Sequence, residues 1–408
     1  MTLDEAIRLS ERVDPTVVAA LGQLRTTGAG IRAAVGGYLP TLSTSANFGN
    51  SVSGGPSSTD PITGEVFSGD ARSSSLSLGA SASYTLFDGF RREAQLRSAR
   101  AQDREADAGL DYERAQNALR TTTTFLSALQ AAELARVANE RIRRADEQFQ
   151  IAVAKLSTRA LTVADSLQAA AQLGQARLAL LSQEAQLASA EAQLARAIGL
   201  DGRVGASADS ALYRTVVIRD TAELFAEAMV RAPQVLRADA TVDRQRALVT
   251  SAKSTYMPSL VLSASTNFSG SDRNDYQLFN SRQLSLGVNW PLFNGFQREL
   301  SVAQQRASYD AERARAADTR REVGSRLEAQ LAALRTAGDR VSLSQEILAT
   351  ARAGLQVQLE RYRIGSIDIT QLNQAQQQLN QAEQDAVQAR FDYIRAKAEI
   401  EAIIGRTL

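Results

Sequence analysis

The stretch TLFDGFRRE, Thr85 to Glu93, returns late in the chain as PLFNGFQRE, Pro291 to Glu299. Leu86 and Leu292 stand 292 − 86 = 206 residues apart. The same step links Gly199, after Ala197-Ile198, to Gly405, after Ile403-Ile404. A spacing held over so long a stretch means no insertions, which suits long helices better than loops. Upstream, Tyr38-Leu39-Pro40 matches Tyr256-Met257-Pro258, and Pro15 matches Pro233, now at a step of 258 − 40 = 218. The first half therefore carries 218 − 206 = 12 more residues between its Pro and its LFDGF, in the Gly/Pro/Ser-rich loop from Gly54-Gly55-Pro56 to Gly69. Internal duplication is a stronger architectural signal than any single motif in the chain.

The expected plan is two repeats, 1–205 and 206–408. The first reads as a helix, a β-hairpin over 40–87, a long helix over 89–155 and a return helix over 162–199. The second reads as a helix, a hairpin over 258–293, a long helix over 295–362 and a return helix over 368–404. The two are expected to interleave in one barrel-and-tunnel unit.

Alternation of period two marks the strands. Leu42, Thr44, Ala46 and Phe48 alternate with Ser43, Ser45 and Asn47. Leu76, Leu78, Ala80, Ala82, Tyr84 and Leu86 alternate with Ser75, Ser77, Gly79, Ser81, Ser83 and Thr85. The second half repeats this with Leu260, Leu262, Ala264 and Phe268, then with Leu284, Leu286, Val288, Trp290 and Leu292. Each strand runs to roughly 9 to 12 residues, enough to cross a bilayer when tilted by about 45°. One such strand alone reads as part of a half-buried sheet in a soluble domain. Four, with Ser, Gly and Asn on the second face and aromatics at both ends (Phe48 and Phe268; Tyr38, Phe87, Phe90, Tyr256, Phe293 and Phe296), read better as a membrane barrel with two interfacial girdles. Four strands do not close a barrel, and an open edge in lipid leaves unpaired backbone groups. The chain must then oligomerise. A dimer supplies eight strands and fills its interior with side chains; a conducting pore favours a trimer with twelve.

After Gly89 and again after Gly295, Ala, Leu, Arg, Glu and Gln dominate, all good helix formers. About 65 residues of such sequence make about 100 Å of helix. The return helices carry heptad rows: Leu173, Leu180, Leu187, Leu194 and Ala176, Gln183, Ala190, Ala197 in the first half. Leu379, Ala386, Tyr393, Ile400 and Ala382, Ala389, Ala396, Ile403 form the rows of the second. Such rows mean coiled-coil packing, so these residues are core rather than ligand box. The opening phrase then reads as a strand-to-helix joint, with Asp88 or Asn294 capping the helix and Gly89 or Gly295 supplying backbone angles closed to other residues.

Composition narrows the function. Basic and acidic residues number 46 and 45, so no nucleic-acid stripe is indicated. There is no Cys and no His, which removes disulfides, thiolate metal sites, an anchoring Cys within this chain and the commonest general base. No nucleophile elbow, phosphate-cradling Gly loop or metal-ligand cluster is present, so no catalytic, cofactor or metal residue is expected and the chain does not read as an enzyme. No apolar run reaches the length of a membrane-spanning helix. Met1 is followed at once by a helix-like Thr-Leu-Asp-Glu-Ala-Ile; either the protein stays in the cytoplasm or a leader is absent from this sequence.

The opening from Leu3 to Pro15, the Tyr-Leu-Pro before a strand, the LFDGF joint and YRIGSIDITQLNQAQ at Tyr362 to Gln376 together resemble the TolC-like outer-membrane efflux proteins, over essentially the whole chain. The resemblance implies a mixed fold of membrane β-barrel and coiled-coil helices. Each chain would give four strands to a trimeric twelve-stranded barrel, continued by an α-helical tunnel in the periplasm of a Gram-negative cell. It implies a passive exit channel for drug or metal efflux or type I secretion. The partners would be two further copies, a periplasmic adaptor, an inner-membrane transporter and outer-membrane lipid. It places adaptor-contacting tips at Lys155, Leu156 and Ser157 and at Ile364, Gly365 and Ser366. Tyr362 matches a tip tyrosine that helps keep the entrance shut. Where the best-studied members carry two aspartates, this chain has Gln371 and Gln374, with Asp368 one turn nearer the tip, Asp165 opposite Gln371 under the 206 step, and Arg159 near the tip. Weaker cation selectivity than in an aspartate-ringed relative is expected. The alternative is a soluble coiled-coil scaffold, which would account for the heptads but not for the paired alternating strands.

Overall fold

A computed structural model describes residues 1–408 apart from 55–57, 60, 65, 68–70, 158–162, 209, 214–220 and 273–274. The elements run α1 (Leu3–Val13), α2 (Pro15–Gly36), β1 (Thr41–Ser53), two-residue strands β2 (Ser58–Thr59) and β3 (Val66–Phe67), β4 (Ala71–Phe87), α3 (Arg91–Ser157) and α4 (Val163–Ala197). They continue with α5 (Thr221–Arg231), α6 (Pro233–Lys253), β5 (Ser259–Ser271), β6 (Phe279–Asn289), α7 (Gln297–Arg363) and α8 (Ile369–Ile404). They fall into two compact units: Met1–Leu24 with Glu105–Ala240 and Ala314–Leu408, and Arg25–Arg104 with Thr241–Arg313.

The second unit holds the sheet, ordered β1-β4-β5-β6 and antiparallel throughout. Its register matches apolar with apolar over the part nearer the joints, while Arg282 and Asn280 fall on the apolar face farther out, opposite Thr266 and Phe268. Leu42 faces Ala82, Ala46 faces Leu78 and Phe48 faces Leu76, while Ser43 faces Ser81 and Asn47 faces Ser77. Likewise Tyr84 pairs with Leu262, Ala82 with Ala264 and Leu262 with Leu286. The apolar face is bare: Leu42 is 79% exposed and Val288 71%. β1 and β6 are the open edges. No helix among the described residues is long and apolar enough to cross a membrane.

The two joints are built alike and finished differently. At the first, Gly89 (φ 69°) and Phe90 (φ 65°) are both left-handed; at the second, Gly295 (φ 65°) and Phe296 (φ 64°) are too. A pair of left-handed residues turns the strand sharply into the helix, and glycine takes the first without a Cβ penalty. Phe90 stacks edge-on against Phe87 at 5.5 Å, and Phe296 against Phe293 at 5.4 Å. Arg92 lies over the Tyr38 ring and Arg298 over the Tyr256 ring, at 5.1 and 4.9 Å. Asp88 caps α3: its two carboxylate oxygens accept from the amides of Arg91 and Arg92, each at 3.1 Å. It also pairs with the Arg92 guanidinium at 3.2 Å. Asn294, expected to cap α7, does not. Its Oδ1 is buried with no hydrogen-bond partner among the described residues, and Arg298 turns instead to the carbonyls of Pro291 and Leu292 at 2.7 and 3.0 Å. A neutral amide lacks the carboxylate's charge, so it draws neither the first amides of the helix nor the arginine as strongly.

The first unit is helical, and its two main cores repeat one another. Ala6, Phe125, Ala128, Leu194 and Ile198 in one core hold the same repeat positions as Leu224, Leu331, Leu334, Ile400 and Ile404 in the other. Of the heptad rows, Leu173, Leu194, Ala176, Leu379, Ala382, Ala386, Ala389, Ala396 and Ile400 are buried. The periodic stripes thus form the helix–helix seams. Asp14 begins α2 by accepting from the amides of Thr16 and Val17, with Pro15 in the first helical position, where its missing N–H costs nothing.

Candidate functional site

The turn between α7 and α8 lies in the first unit and carries most of the singled-out residues. α7 ends on Arg363, and the turn closes through backbone bonds from Ile364 to Glu360, Gly365 to Tyr362 and Ser366 to Arg361 at 3.1, 3.1 and 2.8 Å. Gly365 is left-handed (φ 78°), the conformation that ends many helices. Asp368 then starts α8 as its N-cap, accepting from the amide of Gln371 at 2.9 Å. Its charge therefore sits on a helix N-terminus, where it is stabilised. Gln371 and Gln374 are exposed on the first turns of α8, as is Ile364 on the turn itself.

Beneath the turn Tyr362 is fully buried. It packs with Ala152 of α3, Ala169 of α4, Leu355 of α7 and Ile369, Leu372 and Leu379 of α8. Four helices thus meet in one buried cluster. Among the described residues the phenol oxygen has no hydrogen-bond partner. Burial raises the phenol pKa above its ordinary value, and the nearby negative charge of Asp165 adds to this. Lys155, from the last turn of α3, reaches across. Its ammonium lies over the Tyr362 ring, 4.8 Å from the centroid, and donates to the Tyr362 carbonyl. Of the residues expected at the entrance, Tyr362 and Asp165 lie close enough to interact, while Asp368 and Gln371 are occupied in starting α8; Lys155, expected at an adaptor-contacting tip, touches Tyr362 as well. Leu156 is half-buried, and the exposed Ser157 donates to the Ala154 carbonyl at 2.7 Å. Arg159 lies outside the described residues.

Several polar contacts that hold the return helix had no counterpart in the sequence reading. Gln148 on α3 donates to Asn373 on α8 at 3.0 Å, both buried. Arg144 grips Glu383 through both guanidinium ends at 3.2 and 2.7 Å and also reaches Asn380. Gln130 donates to Gln388 and accepts from Arg395. Arg363 pairs with Glu147 of α3 at 3.1 Å and with Glu360 of its own helix at 2.9 Å. All but the Arg363–Glu360 pair join segments more than two hundred residues apart, and no local motif announces them.

The family model described as outer membrane efflux protein matches residues 7–200 and again 224–406, and the chain belongs to that family. It is a family of outer-membrane channels rather than of enzymes. The fold matches solved structures of such channels along nearly the whole chain. CusC aligns at TM-score 0.83 and 16% identity, over 99% of this chain and 92% of that one. The outer membrane channel MtrE of Neisseria gonorrhoeae, in its open state, aligns at 0.80 and 16%, over 99% and 89%. VceC of Vibrio cholerae aligns at 0.77 and 15%, over 99% and 96%. No curated protein has a significantly similar sequence.

Proposed function

We propose that the protein is the outer-membrane exit duct of a tripartite efflux or type I secretion system, passively conducting what an inner-membrane transporter delivers. Three copies form it. Each contributes the repeats 1–205 and 206–408, and the three sheets close into one twelve-stranded barrel. The observation that carries this is the four-stranded sheet with two open edges and one bare apolar face. In water that face would aggregate. In lipid the face is solvated, and the open edges must find partners. The strands suit the arithmetic: with β1 and β6 running antiparallel, successive copies continue the alternation around a ring. Twelve strands leave a lumen lined by Ser, Asn, Gly and Gln. A soluble coiled-coil scaffold gives no role to the apolar face.

The helices continue the duct into the periplasm, and its entrance lies at the turn around Tyr362. Lys155 and Tyr362 hold the entrance shut, with Asp165, Asp368, Gln371 and Gln374 beside the passage. Lys155, Leu156, Ser157, Ile364, Gly365 and Ser366 meet a periplasmic adaptor. The test is light scattering in mild detergent on protein exported to a Gram-negative outer membrane. A detergent-requiring species with three times the 43.9 kDa chain mass is expected. A species that stays monomeric and soluble without detergent would refute the reading.

A further inference from the structure

The chain contains one seam between its two hairpins and lacks the equivalent seam on its other side. The hairpins themselves are identical in register: Thr41 faces Ser83, and their repeat equivalents Ser259 and Asn289 face each other. Between the hairpins, β4 pairs with β5, Ala82 opposite Ala264 and Ala80 opposite Thr266, with a bulge between Thr85 and Phe87 that sets Phe87 opposite Leu260. At the foot of that seam Gly89 is pressed against the second repeat. A Cβ there would lie 2.3 Å from Met257 Cβ and 2.9 Å from the Ser254 carbonyl. Gly295 has the same left-handed backbone, yet a Cβ on it would meet nothing within 4 Å. The repeat equivalent of Met257 is Leu39, which is 65% exposed. The chain therefore holds both halves of a second seam, with nothing joining them.

We infer that β6 of one copy pairs with β1 of the next in the register of the internal seam. Val288 then lies opposite Ala46, Leu286 opposite Phe48 and Phe293 opposite Leu42, with Leu39 of the next copy seated on Gly295. This rests on the trimeric reading above and adds to it the partner surface and its register. The assigned pairs keep apolar residues together on one face, and set Ser285 opposite Gly49 and Gly287 opposite Asn47 on the other. A slip of one residue would bring apolar side chains opposite the polar set. A slip of two would keep the faces matched but pull Leu39 away from the bare Gly295.

The absence of cysteine makes the register directly readable. Adjacent pairs in an antiparallel ladder alternate between wide and close spacing, so two neighbouring pairs are tested. These are Val288→Cys with Ala46→Cys, and Asn289→Cys with Ser45→Cys. Off-register partners for Val288→Cys are Thr44→Cys and Phe48→Cys. The full chains are oxidised in outer-membrane vesicles and separated in denaturant without reductant. At least one in-register pair is expected to give covalently closed trimer, about ten-fold above either off-register pair, because diagonal neighbours lie beyond disulfide reach. Strongest cross-linking by an off-register pair overturns the assigned register and leaves the trimer standing. No cross-linking from any pair, in variants whose detergent mass is still three chains, also overturns the register. No cross-linking in a species of any other mass overturns the trimer itself.

Discussion

Replacing Lys155 by Met keeps the length of the side chain and removes its charge. The ammonium makes two contacts with Tyr362, one with the ring face and one with the carbonyl. A cation over an aromatic face is worth about 0.5 to 2 kcal/mol. A hydrogen bond from a charged donor is worth about 1.5 to 3 kcal/mol. Lys155 is half-buried, so the lower ends apply and the loss is about 2 kcal/mol per chain. If the closed entrance alone has these contacts, that shifts its equilibrium about thirty-fold toward opening in each chain. Single-channel recording in planar bilayers reads this as open probability at fixed voltage. Lys155→Met is expected to raise it by at least about ten-fold, with Lys155→Arg intermediate because a guanidinium still stacks on the ring. Wild-type gating in Lys155→Met would refute the argument. So would an equal effect from Tyr362→Phe, which deletes a hydroxyl that has no partner among the described residues.

Tyr362→Phe itself is expected to leave gating unchanged and to raise resistance to thermal dissociation, since a buried unpaired hydroxyl costs about 1 to 3 kcal/mol; loss of closure would mean the hydroxyl bonds something in the assembled protein. In spectrophotometric titration the difference between the protein and Tyr362→Phe isolates this phenol. Because the phenolate is disfavoured by burial and then by Asp165, Asp165→Asn should lower its midpoint, and an unmoved midpoint would separate the two groups. Asn294→Asp supplies the second joint with the cap that Asp88 gives the first, about 1 kcal/mol, and should raise the heating temperature at which the oligomer dissociates; Asp88→Asn should lower it. In a salt gradient, Asp368→Asn and Asp165→Asn should each reduce any cation preference in the reversal potential, and an unchanged preference would remove carboxylate control of the entrance.

How far the sequence carried this structure depended on whether the deciding interaction was periodic. Alternation over Leu76–Leu86 located β4, and heptads from Leu379 to Ile400 located the seam of α8, because each strand or helix must bury or expose one face along its length. The joint was visible as the repeated Gly-Phe, but the left-handed backbone of Phe90 and Phe296 was not, since large side chains rarely take it. Asn294 reads as a cap because Asn and Asp share a capping preference in general, while the first joint also uses the charge of Asp88 to hold Arg92. At the turn after α7, Tyr362 stands out by likeness to a known motif. Its partner Lys155 had been placed among the adaptor contacts, and nothing local ties it to a carbonyl 207 residues away. Arg144 and Glu383 form a tight pair from within long, evenly charged helices, where one arginine looks like the next.

The unequal steps of the duplication explain why the halves diverged where they did. An α-helix turns about 100° per residue, so twelve extra residues would rotate everything beyond them by about 120°. Inserted into α3 or α4, they would carry Phe125 or Leu194 out of the core that their equivalents Leu331 and Ile400 occupy. The helices therefore hold the step of 206 from joint to final glycine. The same twelve residues between β1 and β4 leave the ladder untouched, because closing a longer loop adds little entropy cost. Hairpin register is accordingly identical in the two repeats despite the insertion. The joints obey a different constraint. Gly89 meets its partner within the chain, and under the inferred register Gly295 would meet it only when another copy arrives. Asp88 completes a joint that folds with its own chain, whereas Asn294 would sit in one completed by assembly, so under the inferred register the residue that differs between the repeats would mark the boundary between folding and oligomerisation.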